Sequence, residues 1–191
     1  MSAPAVTTAA AAPARAQTPL RQFFADFGAS KLALLGVALL VLTVGAALFA
    51  PWIAPQNPYD IASLDILDSK LPPGSESGDG SMTYWLGTDG QARDVFSAIL
   101  YGMRTSLLVG SVSVVAAFFI GAAAGLIAAY FGGRVDALLM RAVDIQLSFP
   151  AILVALILLA ILGKGVDKVI IALVVVQWAY FARAARGAAL V

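Results

Sequence analysis

The sequence predicts an all-α integral membrane protein, a polytopic helix bundle of about four spans. Two observations carry that class. Of the 191 residues 61% are hydrophobic and only 12% charged, against roughly 45–50% and ~25% in ordinary globular domains. The few charges also leave uncharged runs of the length that a hydrocarbon core of ~30 Å demands. A third observation narrows the chemistry: Cys and His are both absent, which excludes thiolate and imidazole metal sites, haem ligation, cysteine nucleophiles and a Ser-His-Asp triad. A formal net charge of +1 gives no basis for nucleic-acid binding, which needs a clustered basic surface.

Residues 1–19 are Ala/Pro/Thr-rich with Arg15 as their one charge. They lack periodicity and large apolar residues and are expected to form a disordered cytoplasmic tail. Segment 20–59 holds the first span, about residues 32–54, since no charge occurs from Leu32 to Tyr59. That run exceeds the roughly 7–15 residues of a signal-peptide core, and Pro51 follows Ala50 where cleavage would be needed, so an uncleaved helix is expected. Pro51, Pro55 and Pro58 end it, and Trp52 and Tyr59 suit an interfacial belt.

Residues 60–101 are expected to be a periplasmic loop, turn-rich around PPGSESGDGS, closing with an amphipathic helix over about 88–101. The stretch LGTDGQARDVFS, Leu86 to Ser97, concentrates charge as a site would. Asp89 and Asp94 do not have the spacing of a calcium loop, however, and Gly87 and Gly90 are not followed by Gly-Lys-Ser/Thr. Thr88 and Gln91 have the form of a capping box with Thr88 as N-cap. Ala92, Val95, Phe96, Ile99 and Met103 then recur on one helical face, with Asp89 and Arg93 as an i, i+4 pair. On that reading Arg93, Asp94 and Ser97 face water.

Residues 102–191 are expected to contribute helices at about 104–131, 136–162 and 168–187. The uncharged stretch between Arg104 and Arg134 exceeds the minimum span and is free to tilt or project. Ser113, Ala117, Gly121, Gly125 and Ala129 recur every four residues along it, with Gly121 and Gly125 forming a GxxxG that admits close helix packing. Gly132 and Gly133 mark a turn. The third span begins polar, with Asp136, Met140 and Asp144 on one face and Arg141 placed to pair with Asp144. Such acids suit a proton or ion relay, but the more economical reading is a polar first turn or two at the cytoplasmic interface. It is uncharged from Ile145 to Gly163, interrupted by Pro150. The fourth span has only 14 uncharged residues, Val169 to Ala182, about 21 Å of helix, and crosses only if Lys168 and Arg183 snorkel or face protein. Gln146, Ser148, Gln177 and Trp178 are candidates to line a path through the membrane, although polar residues in spans as often serve as packing contacts.

With a cytoplasmic N-terminus, Arg15, Arg21, Lys31, Arg134, Arg141, Arg183 and Arg186 fall inside, seven of the 12 Lys and Arg residues, a thin positive-inside margin. Seven acids, Asp60, Asp65, Asp68, Glu76, Asp79, Asp89 and Asp94, fall in the first external loop. No G-x-x-x-x-G-K-[ST] occurs, so any nucleotide-driven work must come from a partner.

Three long blocks, in order, carry a resemblance. KLALLGVALLVLTVGAALFAPWIAP, LGTDGQARDVFSAILYGMRTSLLVG and YFGGRVDALLMRAVDIQLSFPAILVAL resemble the membrane subunit of binding-protein-dependent ABC importers, the dipeptide/oligopeptide/nickel class of the DppC/OppC type. The signature residues are Leu86, Gly87, Thr88, Asp89, Arg93, Asp94, Gly132, Gly133, Asp136, Arg141, Asp144, Phe149 and Pro150. Ala92 departs from the signature, which usually has Gly there; alanine is the better helix former by about 1 kcal/mol, which agrees with a capped helix. Ala98 stands where Arg is common.

The resemblance implies a partial type I ABC importer transmembrane domain in the bacterial inner membrane, a multi-pass protein without its own nucleotide site. The implied partners are a homologous second permease subunit, two cytoplasmic ABC ATPase subunits, a periplasmic substrate-binding protein and the lipid bilayer. The implied cargo is a dipeptide or oligopeptide, with nickel, glutathione or an opine as alternatives. No catalytic residue, cofactor or metal site is expected. In the family a coupling loop carrying the EAA motif and two further spans follow, so a chain stopping at Val191 is expected to be truncated before that loop. A non-transporting scaffold or inactive fragment is the alternative function.

Overall fold

The computed structural model describes residues 27–190; the expected N-terminal tail lies outside the described residues. The chain divides after Thr43 into two compact units, and the second, Val44–Val191, carries every element beyond the first part of the first helix. That helix, α1, runs Lys31–Leu48, and a single turn, α2, follows at Ala50–Ile53 with Pro51 in its first turn, the position where a missing N–H costs nothing. The rest is α3 (Val95–Phe131), α4 (Gly133–Ser148), α5 (Ala151–Leu162) and α6 (Val166–Ala189). Among the described residues α1, α3 and α6 are long and apolar enough to cross a membrane, and α4 with α5 makes a fourth candidate bent by 91°. The all-α membrane class therefore holds, with a helix broken in two where the sequence suggests one.

Pro150 explains the break. It has no N–H to give to the preceding turn and forces the residue before it out of helical conformation; Phe149 is extended at φ −95°, ψ 142°. At the other end of α4 a single residue, Gly132, separates two helices at φ +57°, a left-handed conformation that a β-carbon would strain. The expected turn at Gly132-Gly133 is thus only one residue wide.

α3 is 37 residues long, about 55 Å at 1.5 Å per residue, so it must project well beyond a ~30 Å core. Its buried positions in the membrane region are small: Ser113, Ala117, Gly121, Gly125 and Ala128. The large residues, such as Phe119, Ile120 and Leu126, point outward. In water this would be inside out; in lipid it is the stable arrangement, because large apolar side chains gain nothing from leaving hydrocarbon and small ones let backbones approach. The stripe shifts from every fourth residue to Ala128 rather than Ala129, as 3.6 residues per turn requires over this length.

The loop between α2 and α3 is held by its own acids. Asp60 accepts from the Ala62 N–H at 3.1 Å and Asp65 from Leu67 at 3.0 Å, each capping a one-turn 3₁₀ helix, at Ile61–Ser63 and Ile66–Asp68. A two-residue hairpin pairs β1 (Ser75–Glu76) with β2 (Thr83–Tyr84) in antiparallel register, and Asp79 accepts from the Ser77 hydroxyl and the Ser81 N–H across its turn. Hydrogen bonds from those groups pull the Asp79 carboxyl down to about 2.

Candidate functional site

The seam between α3 and α6 is the best-defined assembly in the membrane region. A β-carbon added at Gly121 would overlap the Trp178 carbonyl oxygen, and one at Gly125 the Ala182 carbonyl oxygen. Two glycines four residues apart meet two carbonyls four residues apart in the same direction, so α3 and α6 run parallel. The Phe118 and Phe181 rings, 5.7 Å apart and edge to face, flank the seam. Ser113 lies in it fully buried, and its hydroxyl has no partner among the described residues.

Parallel helices at both ends of α4 and α5 require the bent pair to return the chain across the membrane. α4 runs back along α6: Val143 is fully buried against Ala179 and Ala182, with Met140, Leu147, Trp178 and Ala124 packed around them. Two ion pairs fix the same alignment. Asp136 grips Arg186 through both its oxygens, and Asp144 accepts from Arg183 at 2.6 Å. Arg183 is exposed but paired with a carboxylate on α4, which lowers the cost of a charge so near the short uncharged centre of α6. The sequence places Arg141 against Asp144; the structure gives that acid to Arg183 instead, because the partner on the facing helix is held by packing. The Asp144 pair is more than half exposed, so it sets register more than stability.

In the loop before α3, the stretch Leu86–Ser97 differs from its expected form. The helix begins at Val95, not Thr88, and its N-cap is Asp94. Thr88 lies in extended backbone, bridged to Asp94; its hydroxyl donates to the Asp68 carbonyl and accepts from the Leu71 N–H. Gly87 sits at φ +76° where a β-carbon would overlap the Leu71 carbonyl oxygen. The capping box fails because Thr88 finds long-range backbone partners that no local pattern reveals. Asp89 and Arg93 do pair, at 2.7 Å, across a turn. Partial burial pushes the Asp89 carboxyl up, but the hydrogen bonds from Arg93 and Gln91 outweigh it and leave it below the usual range.

Asp94 and Ser97 are not a wetted face. They are 1% and 0% exposed. Asp94 accepts from the Ser97 N–H at 2.8 Å and hydroxyl at 2.6 Å. The Gln56 side-chain oxygen accepts from the Asp94 N–H at 2.8 Å, and the Gln56 backbone N–H donates to the Ser97 hydroxyl. This knot ties the segment after α2 to the start of α3 across 38 residues. Gln56 is the contact that sequence reasoning misses, lying among prolines without periodicity. Nearby, Asp68 accepts from the Tyr84 hydroxyl at 2.9 Å and the Gly78 N–H at 3.0 Å; burial and that carboxylate push the Tyr84 phenol up to about 12.

Ala92 is fully buried with φ +61°. Its agreement with a capped helix fails, since the residue is not helical, and the glycine common at this point of the signature suits the backbone better. Ala92→Gly is expected to raise stability by about 0.5–1 kcal/mol, the left-handed strain relieved less the small loss of burial and chain stiffness. Thermal unfolding of the purified chain in detergent checks it; an unchanged or lowered midpoint counts against the strain.

Of the four path candidates, Ser148 donates its hydroxyl to the Asp144 carbonyl at 2.7 Å, and Trp178 belongs to the Val143 cluster. Gln146 and Gln177 are half-buried. Among the described residues no group of three or more potential metal ligands comes together.

Comparison with known proteins bears on this assembly directly. Residues 18–73 match the N-terminal TM domain of oligopeptide transport permease C, and residues 121–191, which contain Gly121, Gly125, the bent pair, α6 and both ion pairs, match the binding-protein-dependent transport system inner membrane component family. Residues 121–191 are a segment of this permease family. The di/tripeptide transport system permease protein DppC of Pseudomonas aeruginosa (strain UCBPP-PA14) is 38% identical over 171 residues, 90% of this chain and 55% of that protein. The dipeptide transport system permease protein DppC of Escherichia coli (strain K12) is 41% identical over 174 residues, 91% of this chain and 57% of its own length. The probable D,D-dipeptide transport system permease protein DdpC of the same strain is 36% identical over 162 residues, 85% and 51% of the two chains. The chain spans about half the length of these permeases, and the inner-membrane component family is matched over the last part of α3, the bent pair and α6.

Proposed function

We propose that the chain forms the membrane-crossing part of a permease subunit that moves dipeptides or oligopeptides inward across the bacterial inner membrane. The N-terminus is cytoplasmic, the loop between α2 and α3 meets a periplasmic binding protein, a homologous subunit completes the path, and two ATPase subunits supply the energy. The observation that carries this reading is the 36–41% identity over more than four fifths of the chain to permeases named for dipeptides. The lack of a P-loop motif in the sequence supports energy coming from elsewhere.

Import needs no covalent step. In this reading α3 and α6, interlocked at Gly121 and Gly125, move as one body, while the Pro150 break lets α5 change angle without breaking α4's hold on α6; rocking of packed bodies about a fixed site is how alternating access works in general. Deleting the gene in its host and following uptake of labelled dialanine tests the proposal. Loss of uptake, restored by the intact gene, is expected; unchanged dipeptide uptake in a strain without redundant importers contradicts it, and lost nickel, glutathione or opine uptake would reassign the cargo.

A further inference from the structure

We propose that Arg104 and the groove beside it bind the headgroup and one acyl chain of an anionic phospholipid. The depth of Arg104 follows from the seam. Arg186, held by Asp136, has its backbone N–H beside Gly125, and from Arg104 to Gly125 is 21 residues of one helix, about 32 Å. From Lys168 to Arg186 on α6 is 18 residues, about 27 Å. Both distances match a hydrocarbon core of ~30 Å. Arg104 and Lys168 therefore lie at one boundary of the core and Arg186 at the other.

Lys168, Arg183 and Arg186 each have a carboxylate partner. Arg104 is exposed and forms no ion pair among the described residues. A cation at the hydrocarbon boundary without a protein counter-charge is the complement of a lipid phosphate. Its surroundings have the two halves of a lipid. On one side Arg104 lines a cavity of about 380 Å³ with Tyr59, Tyr101 and Thr105, where two phenols supply donors at headgroup level; the Thr105 hydroxyl donates to the Tyr101 carbonyl at 3.1 Å. The Tyr59 and Tyr101 rings meet edge to face, centroids 5.9 Å apart, an interfacial aromatic pair. On the other side Arg104 lines a mostly apolar groove of about 420 Å³ with Val44, Ala47, Leu48, Leu107 and Leu108. Arg104 and Leu108 belong to both, so headgroup and chain sites are continuous. The site concerns lipid alone and stands whatever the cargo.

Native mass spectrometry of the 191-residue chain in detergent tests this, with palmitoyl-oleoyl phosphatidylglycerol and the matching phosphatidylcholine supplied equally. The phosphatidylglycerol adduct is expected to be retained roughly fivefold over phosphatidylcholine, the effect of one well-placed arginine on an anionic lipid. Arg104→Gln is expected to bring that ratio close to one, and Arg104→Lys to keep most of it. Leu108→Trp, which fills the chain groove and leaves the cation, is expected to lower retention of both lipids. A wild-type ratio near one overturns the proposal, as does an unchanged ratio in Arg104→Gln. Displacement of phosphatidylglycerol by excess inorganic phosphate, with Leu108→Trp silent, overturns it in favour of a bare anion site. A dimer lost in Arg104→Gln without lipid preference overturns it in favour of a second copy.

Discussion

Gly121→Leu is expected to force α3 and α6 apart and to cost about 3 kcal/mol or more. The added side chain meets the Trp178 carbonyl and the Phe181 and Ala182 backbone side of α6, and a helix backbone has no rotamer by which to yield; overpacking even of adaptable cores costs ~1–3 kcal/mol. The displacement would also pull Arg186 and Arg183 from Asp136 and Asp144. Gly110→Leu, on the same helix with nothing within 4 Å of its β-carbon site, is the control, and its gain in helix propensity makes it neutral or slightly stabilising. Unfolding in detergent followed by circular dichroism separates the two. Equal midpoints for the two variants would show that the seam does not depend on the absent β-carbons.

Asp94→Lys has the second large effect. It removes the N-cap of a 37-residue helix, a change worth about 0.5–2 kcal/mol by itself, and places an ammonium where the carboxylate is 1% exposed. Breaking a buried charged contact and leaving a charge unpaired typically costs ~3–5 kcal/mol. The extramembrane segment around Gln56 is expected to come loose and become sensitive to protease. Asp94→Asn, able to accept from the Ser97 N–H, is expected to lose only about 1 kcal/mol. Asp65→Lys, at an exposed one-turn helix, serves as the surface comparison. Asp94→Lys protein with wild-type protease resistance would contradict the buried knot.

These two residues show what composition and period can and cannot disclose. Gly121 and Gly125 are legible, because small residues at fixed spacing in a lipid-length helix have one physical use. The facing carbonyls are not, since which helix fills a small-residue stripe depends on tertiary approach. Asp94 misleads for a related reason. The motif Thr88-Asp89-Gly90-Gln91 satisfies the local rule for a helix start, yet Thr88 binds Asp68 and Leu71, and the true cap lies six residues later. Local propensity loses when a distant backbone offers better partners. Pro150 announces an interruption, but a 91° break and an interruption within one straight span leave the same trace in sequence. Similarly, Asp136 and Asp144 are visible as a charged face, while their partners on α6, 50 and 39 residues away, are not.

The whole architecture turns on α3 and α6 crossing in the same direction, with the bent α4–α5 pair carrying the chain back between them. With no native cysteine, single cysteines replacing Ser81, Arg134, Lys164 and Gly187 can be labelled in intact and opened cells with a membrane-impermeant maleimide. Ser81 and Lys164 are predicted to label from one side and Arg134 and Gly187 from the other. Labelling of Arg134 and Lys164 from the same side would make α4–α5 a re-entrant loop and contradict the parallel crossing.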